Sequence, residues 1–221
     1  MEKTERIIFL IKFGQKKNLE KLRDNGEVYF KNTEEFNKIK KVNEEQGDEN
    51  EGAIWIENLK DVKVTLNHPK IGEFNFKSVP NKFVKLTQFN HNYLTCSFYV
   101  VTDRDFNKSS EIEIDERMSE LGEYALIITN PKNLIDSIFK QATSEKIALE
   151  SKKVDYQDFS KEGKIHITPF LKKIEHSYQN EFRFVLKNCI EKSKVLTCKE
   201  IEPSGIIIPT VKNKKLQFKI N

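Results

Sequence analysis

The residues best suited to chemistry lie near the C-terminal end of the chain, in the stretch YQNEFRFVL, residues 178–186. In an extended chain Gln179, Glu181 and Arg183 fall on one face, while Tyr178, Phe182 and Phe184, with Asn180 among them, fall on the other. A Gln and a Glu two positions apart on a strand stand about 7 Å apart and point the same way. A carboxylate in that position can accept a ribose hydroxyl, and it can steady the positive charge that grows on a sugar as a C–N bond breaks. The amide beside it can orient an attacking group. The same alternation also describes the wet side of a strand, where Glu181 and Arg183 would form a surface ion pair worth less than about 1 kcal/mol. The spacing leaves both readings open.

Other chemistries have no motif here. The chain contains no GxGxxG and no GxxxxGK[ST], so a Rossmann or P-loop nucleotide site is not expected. It contains no GxSxG and no HExxH. Three cysteines (Cys96, Cys189, Cys198) form no CxxC, and His68, His91, His166 and His176 are scattered, so the sequence predicts reduced thiols, a cytoplasmic setting and no metal site. The first apolar run, residues 7–11, is too short for a signal or membrane segment and stops at Lys12. A net charge of +4, from 38 basic and 34 acidic side chains, permits contact with nucleic acid without demanding it.

The elements that must position these residues follow from periodicity. Residues 7–13 read as a buried strand broken by Gly14. Residues 16–25 read as a short amphipathic helix, with Leu19 and Leu22 on one face and Gly26 as its stop. A second strand covers 27–31, and Asn32-Thr33 is placed to cap a helical turn carrying Phe36 and Ile39. Residues 40–52, KKVNEEQGDENEG, read as a polar loop. Strands are predicted over 54–56, 62–66 and 74–76, with HPKIG as the turn between the last two, and over 82–86. Residues 93–102 are apolar on both faces and predict a central strand. A helix is predicted over 112–121, a strand over 124–129, and a helix opened by Asn130-Pro131. Strands are further predicted over 149–156, 165–167, 206–209 and 216–220. No composition shift marks a boundary, so the expectation is one α+β domain over 1–221 with a split, mostly antiparallel or mixed β core and few helices.

The order of these segments adds a resemblance. FLIKFGQKKNLEKLRDNGEVYFKN runs from a strand ending in a polar residue, through a helix with N-L-x-x-L and a glycine, to a strand with an aromatic pair. This is similar to the opening of the ADP-ribosyltransferase superfamily, which has the diphtheria-toxin-like fold and ends its core on a strand carrying Q/E-x-E. More narrowly, KFG, VYFKNTEEFN, GDENEG, LTCSF, VDY and YQNEFRFVL resemble, in order and spacing, a bacterial family of unassigned function linked to toxin–antitoxin and phage-defence loci.

The resemblance implies NAD as substrate, with Glu181 as the catalytic carboxylate and Gln179 orienting the acceptor. It implies Lys12 and Phe13 at the end of the first strand as dinucleotide contacts, where Lys12 departs from the usual His or Arg: an ammonium can bind phosphate or a ribose oxygen but lacks a guanidinium's fork. Tyr29 and Phe30 would wall the nicotinamide, and either could equally be a core aromatic. Ser97, in Thr95-Cys96-Ser97, would contact the ribose, while Cys96 packs. Arg183, with Lys172 and Lys173, would draw the diphosphate, and His176 would flank the site. The activity implied is transfer of ADP-ribose to a macromolecule, RNA or DNA rather than protein, by a toxin or antiphage effector that could have an antitoxin partner and no membrane association. The alternatives are an NAD glycohydrolase on the same fold and a non-catalytic module binding RNA or protein.

Overall fold

The computed structural model describes residues 5–34, 49–77, 82–90, 92–108, 110–198, 205–212 and 214–219. The chain begins with β1 (Ile7–Gly14), α1 (Lys16–Asn25) and β2 (Glu27–Asn32). Next come β3 (Ala53–Leu59), β4 (Lys63–His68), β5 (Gly72–Lys77), β6 (Val84–Phe89) and the long β7 (Tyr93–Thr102). A short helix α2 (Asp103–Lys108), β8 (Glu111–Ile114) and a 3-10 helix (Glu116–Leu121) lead to β9 (Tyr124–Ile128) and α3 (Pro131–Ser144). The chain continues through β10 (Leu149–Lys153), β11 (Asp155–Gln157), β12 (Gly163–His166), β13 (Leu171–Lys173) and a second 3-10 helix (Ile174–Gln179). It finishes with β14 (Glu181–Lys187), β15 (Ser193–Thr197), β16 (Gly205–Pro209) and β17 (Leu216–Lys219). The architecture is α+β, and β11–β13 is the one parallel pairing among the described strands.

Local chemistry explains the helices. Leu19 and Leu22 put α1's apolar stripe on the sheet, and Gly26 ends it in the left-handed region at φ 67°, its N–H bonded to the Leu22 carbonyl. Asn130 accepts a hydrogen bond from the Asn133 N–H at the start of α3, Pro131 takes the first helical position, and Leu134, Ile138 and Ala142 face inward. Together the two helices cover one face of the main sheet. Beneath them Leu10, Phe30, Phe98, Leu126, Phe184 and Leu186 are buried, with Phe98 edge-on to Phe184 at 5.9 Å.

The main sheet forks. Its strands run β10-β14-β7-β1-β9-β16, and β14 follows one edge of β7 from Tyr93 to Tyr99. The other edge of β7 is shared: β1 pairs with Tyr99–Thr102, and β2 pairs only with Leu94 and Thr95 before running outward to join β15. Cys96, Ser97 and Phe98 have no strand beside them on that edge. The opening lies on the face away from α1 and α3, next to a second core of Ile11, Val101, Ile114, Met118 and Ala125.

Several elements depart from the sequence-based expectation. Residues 112–121 form not a helix but the end of β8 and a 3-10 helix started by Asp115, whose carboxylate accepts from the Arg117 N–H. Residues 149–156 form two strands in different sheets, because the chain leaves the main sheet at Val154. The strand expected over the whole YQNEFRFVL stretch begins only at Glu181. Strand β15 and helix α2 were not foreseen. The helical turn expected at Phe36 and Ile39, and most of the polar stretch 40–52, lie outside the described residues.

Gly26 offers a direct check on this packing. A Cβ there would stand 2.1 Å from the Cys198 carbonyl oxygen, so Gly26→Ala combines left-handed strain with a backbone collision. It should lower the free energy of unfolding by about 2 kcal/mol or more, read from the urea midpoint.

Candidate functional site

The fork holds a cavity of about 300 Å³, and its walls come from both ends of the chain. Ile11, Lys12 and Phe13 reach it from β1, and Tyr29 and Lys31 from β2. Ser97 and Tyr99 line it from β7, Met118 and Leu121 from the first 3-10 helix. The floor is polar and is formed by Glu51, Lys172, Gln179, Glu181 and Arg183.

Alternation along β2 separates the aromatic pair expected to wall the site. Tyr29 is 52% exposed at the cavity, whereas Phe30 points through the sheet and is fully buried under the helices. Phe30 is thus a core residue and has no access to a ligand in the cavity. Phe13 lies on the cavity face, packed with Ile11.

Gln179 and Glu181 do meet, but not by strand alternation. Gln179 ends the second 3-10 helix, and the chain turns at Asn180, which is left-handed at φ 36°. The turn is held by Asn180, whose side-chain amide donates to the Val100 carbonyl (2.6 Å) and whose own carbonyl accepts from the Val100 N–H (2.9 Å). Asparagine tolerates this conformation better than most residues. The result brings both oxygens onto one ammonium: Lys172 Nζ donates to Gln179 Oε1 at 2.8 Å and to Glu181 Oε1 at 2.5 Å.

Arg183 completes a closed charge cluster. Its Nη1 and Nη2 donate to the two oxygens of Glu51 at 2.7 and 3.2 Å, and Nη2 also reaches Glu181 Oε2 at 3.1 Å. Nη1 further donates to the Pro169 carbonyl (2.7 Å), and Nε donates to Ser97 Oγ (3.2 Å) and Glu181 Oε2 (3.3 Å). Ser97 sits opposite Arg183 in the β7–β14 register, which sets this contact. Arg183 is 3% exposed with its donors taken, so it holds Glu181 and Glu51 and offers no spare donor to a diphosphate. Burial disfavours the charged form of Glu181, but Lys172 and Arg183 outweigh it and hold the carboxyl far below the usual carboxylate range. Burial likewise opposes the charge on Arg183, and Glu51 and Glu181 overcome it and keep the guanidinium protonated. Tyr156, in β11, accepts the Glu181 N–H at 3.0 Å, and burial and the nearby carboxylate push its phenol well above the ordinary value.

Lys12 takes a different part. Its Nζ donates to the Ser97 carbonyl at 2.6 Å, near Cys96 Sγ at 3.6 Å, and lies 5.1 Å from the centre of the Phe98 ring. It thereby satisfies a carbonyl that the fork leaves without a strand partner. Tyr178 packs on the second core behind the site, with the Arg117 guanidinium 3.6 Å from its ring centre, and its hydroxyl accepts from Gln179 Nε2 at 3.2 Å. Lys173 pairs outside the cavity with Glu49 at 2.6 Å, and His176 does not line it. Cys96 is buried in the helix-side core.

Glu51 is the residue that the sequence reading passed over. It lies in a run that reads as a polar loop, and its signal is indirect: a strand arginine flanked by Phe182 and Phe184 needs more than one acceptor if it is to be buried. Among the described residues no three His, Cys, Asp or Glu side chains are placed to hold a metal ion. Among them, too, no helix is long and apolar enough to cross a membrane. Comparison of the chain with family models, with curated proteins and with solved structures gave no match.

Removing Arg183 takes the guanidinium away from two buried carboxylates. Arg183→Met should cost about 3–5 kcal/mol of stability, measured by denaturant unfolding. The depressed Glu181 proton affinity also fixes a sign: its contribution to stability is fully present above the unfolded-state value of about pH 4 and is lost as pH falls further toward the folded value. Urea midpoints should therefore be flat from pH 7 to 5 on this account and decline below pH 4, and Glu181→Gln should flatten that decline.

Proposed function

We propose that this chain is an NAD-dependent ADP-ribosyltransferase that modifies a macromolecule, RNA or DNA in preference to protein, in the setting of a toxin or antiphage effector. The observation that carries the reading is the meeting of the two ends of the chain: Lys12 and Tyr29 share one cavity with Ser97, Gln179 and Glu181. A cavity of about 300 Å³ is at the small end for a ligand site and suits the nicotinamide ribose half of the dinucleotide.

In this reading the Glu181 carboxylate accepts the ribose 2′-hydroxyl and stabilises the oxocarbenium-like ribose as the C1′–N bond breaks. The bonding electrons leave with nicotinamide, which departs neutral because it was cationic in NAD. Tyr29 offers a ring face for stacking. Lys12 supplies an ammonium toward the phosphates while its stem crosses the fork. Gln179 orients the acceptor nucleophile. The ion pairs fix the carboxylate and its charge in advance, which is the requirement for electrostatic stabilisation without reorganisation.

One observation favours a second reading. Two carboxylates and two cations cancel within the floor of the site, so Glu181 presents little net negative charge to a developing cation. A module that keeps this scaffold and binds RNA or protein without catalysis would be built in that way.

Nicotinamide release from NAD separates the two. The wild type should release it, and Glu181→Gln should release it at least about 100-fold more slowly, with thermal melting run in parallel because the substitution exposes buried cations. Tyr29→Ala, which disturbs no ion pair, should raise KM more than it lowers kcat. Wild-type turnover in a folded Glu181→Gln protein would overturn the assignment, and no release together with no NAD-induced thermal shift would favour the binding module. With labelled NAD and separate pools of RNA, DNA and protein, label should appear in nucleic acid. Label in protein alone rejects that acceptor, and free ADP-ribose alone identifies water as the acceptor.

A further inference from the structure

The carboxylate at the centre of the site already has both oxygens engaged. A carboxylate offers about four lone-pair positions. Lys172 Nζ occupies one on Oε1, and Arg183 reaches Oε2 through Nη2 and Nε at 3.1 and 3.3 Å. The Ser97 hydroxyl, which accepts from Arg183 Nε, also favours the charged form of Glu181. Glu181 is only 7% exposed, so little of it faces water. A ligand hydroxyl can be accepted only where one of these donors leaves.

The three side chains around Glu181 are held very differently. Arg183 is tied to Glu51, to Ser97 Oγ and to the Pro169 carbonyl as well, and could not turn away without breaking all of these bonds. Ser97 is fixed within β7, with its carbonyl held by Lys12. Lys172 Nζ bonds to Gln179 and Glu181 alone, from a flexible four-carbon stem on the three-residue strand β13 at the cavity wall. One movement of that ammonium would break its bonds to both Gln179 Oε1 and Glu181 Oε1.

We propose that Lys172 is a latch. In the resting protein its ammonium closes the two candidate catalytic groups together, and a ligand binds by displacing it, with a hydroxyl of the ligand taking its place on Glu181 Oε1. Lys172 is then a regulatory contact and not a group that attracts the ligand, although it lies in the same cavity. This inference rests on the reading of Glu181 as the hydroxyl-accepting carboxylate.

The test compares wild type with Lys172→Met, which keeps the length of the stem and removes the donor. Titration with NAD should give a dissociation constant about tenfold lower for Lys172→Met, the scale of one charge-assisted hydrogen bond no longer broken on binding. Equal or weaker binding by a folded Lys172→Met protein overturns the latch and leaves the NAD reading standing. A second measurement needs neither NAD nor the variant: acetylation of wild-type lysines by acetic anhydride, followed by mass spectrometry. A latch that opens transiently should react within about 100-fold of the exposed Lys132, whereas a permanently fixed ion pair should be protected far beyond that, as global unfolding would require. Strong protection therefore overturns the latch even if NAD binds neither protein, and in that case the absence of NAD binding separately rejects the NAD reading.

Discussion

A guanidinium that is 3% exposed must find partners for its donors inside the protein, and Arg183 finds them in Glu51, Glu181, Ser97 and the Pro169 carbonyl. Each partner belongs to a different part of the chain. Glu51 precedes β3, Pro169 precedes β13, Ser97 is central in β7, and Glu181 opens β14. The one side chain thus gathers the segments that make the floor of the cavity. Such a cluster is weak support for stability, since a well-packed apolar replacement can do as well. Its value lies in uniqueness: with both Glu51 oxygens and Glu181 Oε2 bound to one planar group, the orientation of the Glu181 carboxylate is set to within the geometry of a fork.

The cavity itself arises from an unequal division of one edge. β7 is long enough to take two partners on the same side, and β1 and β2 diverge instead of filling the space between them. A forked sheet leaves backbone groups without strand partners, and here the cost is offset by Lys12, whose ammonium caps the Ser97 carbonyl. A lysine suits this position because it spans the gap with a flexible stem and rests its charge against the Phe98 ring. Shape and charge in the hollow are therefore not independent: the residue that supports the fork is also a cation at its rim.

Much of this was legible in the sequence, for identifiable reasons. The helix over 16–25 is readable because Leu19 and Leu22 recur at helical spacing and Gly26 stops it. The strand over 93–102 is readable because it is apolar on both faces, which only a central strand tolerates. The meeting of Lys12, Tyr29, Ser97 and Glu181 was implied only by the family resemblance that the segment order carries, not by the spacing itself. Four features resisted. The split of Tyr29 from Phe30 depends on which face β2 turns to the helices, and an aromatic pair does not encode that. The placement of Gln179 depends on a left-handed Asn180, and an alternating stretch gives no sign of a turn. The helix predicted over 112–121 failed because Ile112 and Ile114 are spaced for a strand and Asp115 starts a new element, so one apolar pattern concealed two. Glu51 is invisible without knowing that Arg183 is buried.

One contact at the far wall of the cavity has a consequence for what the hollow could admit. Gly122, which follows the first 3-10 helix, lies so close to the end of β1 that a Cβ on it would fall 2.2 Å from the Gly14 nitrogen. The wall bearing Met118 and Leu121 therefore rests on main chain touching main chain, while Thr210 Oγ1 donates to the Gly122 carbonyl at 2.7 Å from behind. Side-chain rotamers can adjust to a guest, whereas two apposed peptide backbones cannot draw nearer or spread without breaking the register of a sheet. The gauge of the opening on that side is thus a property of the skeleton, so discrimination by size would persist through most substitutions of the lining and would change abruptly with any residue larger than glycine at 122.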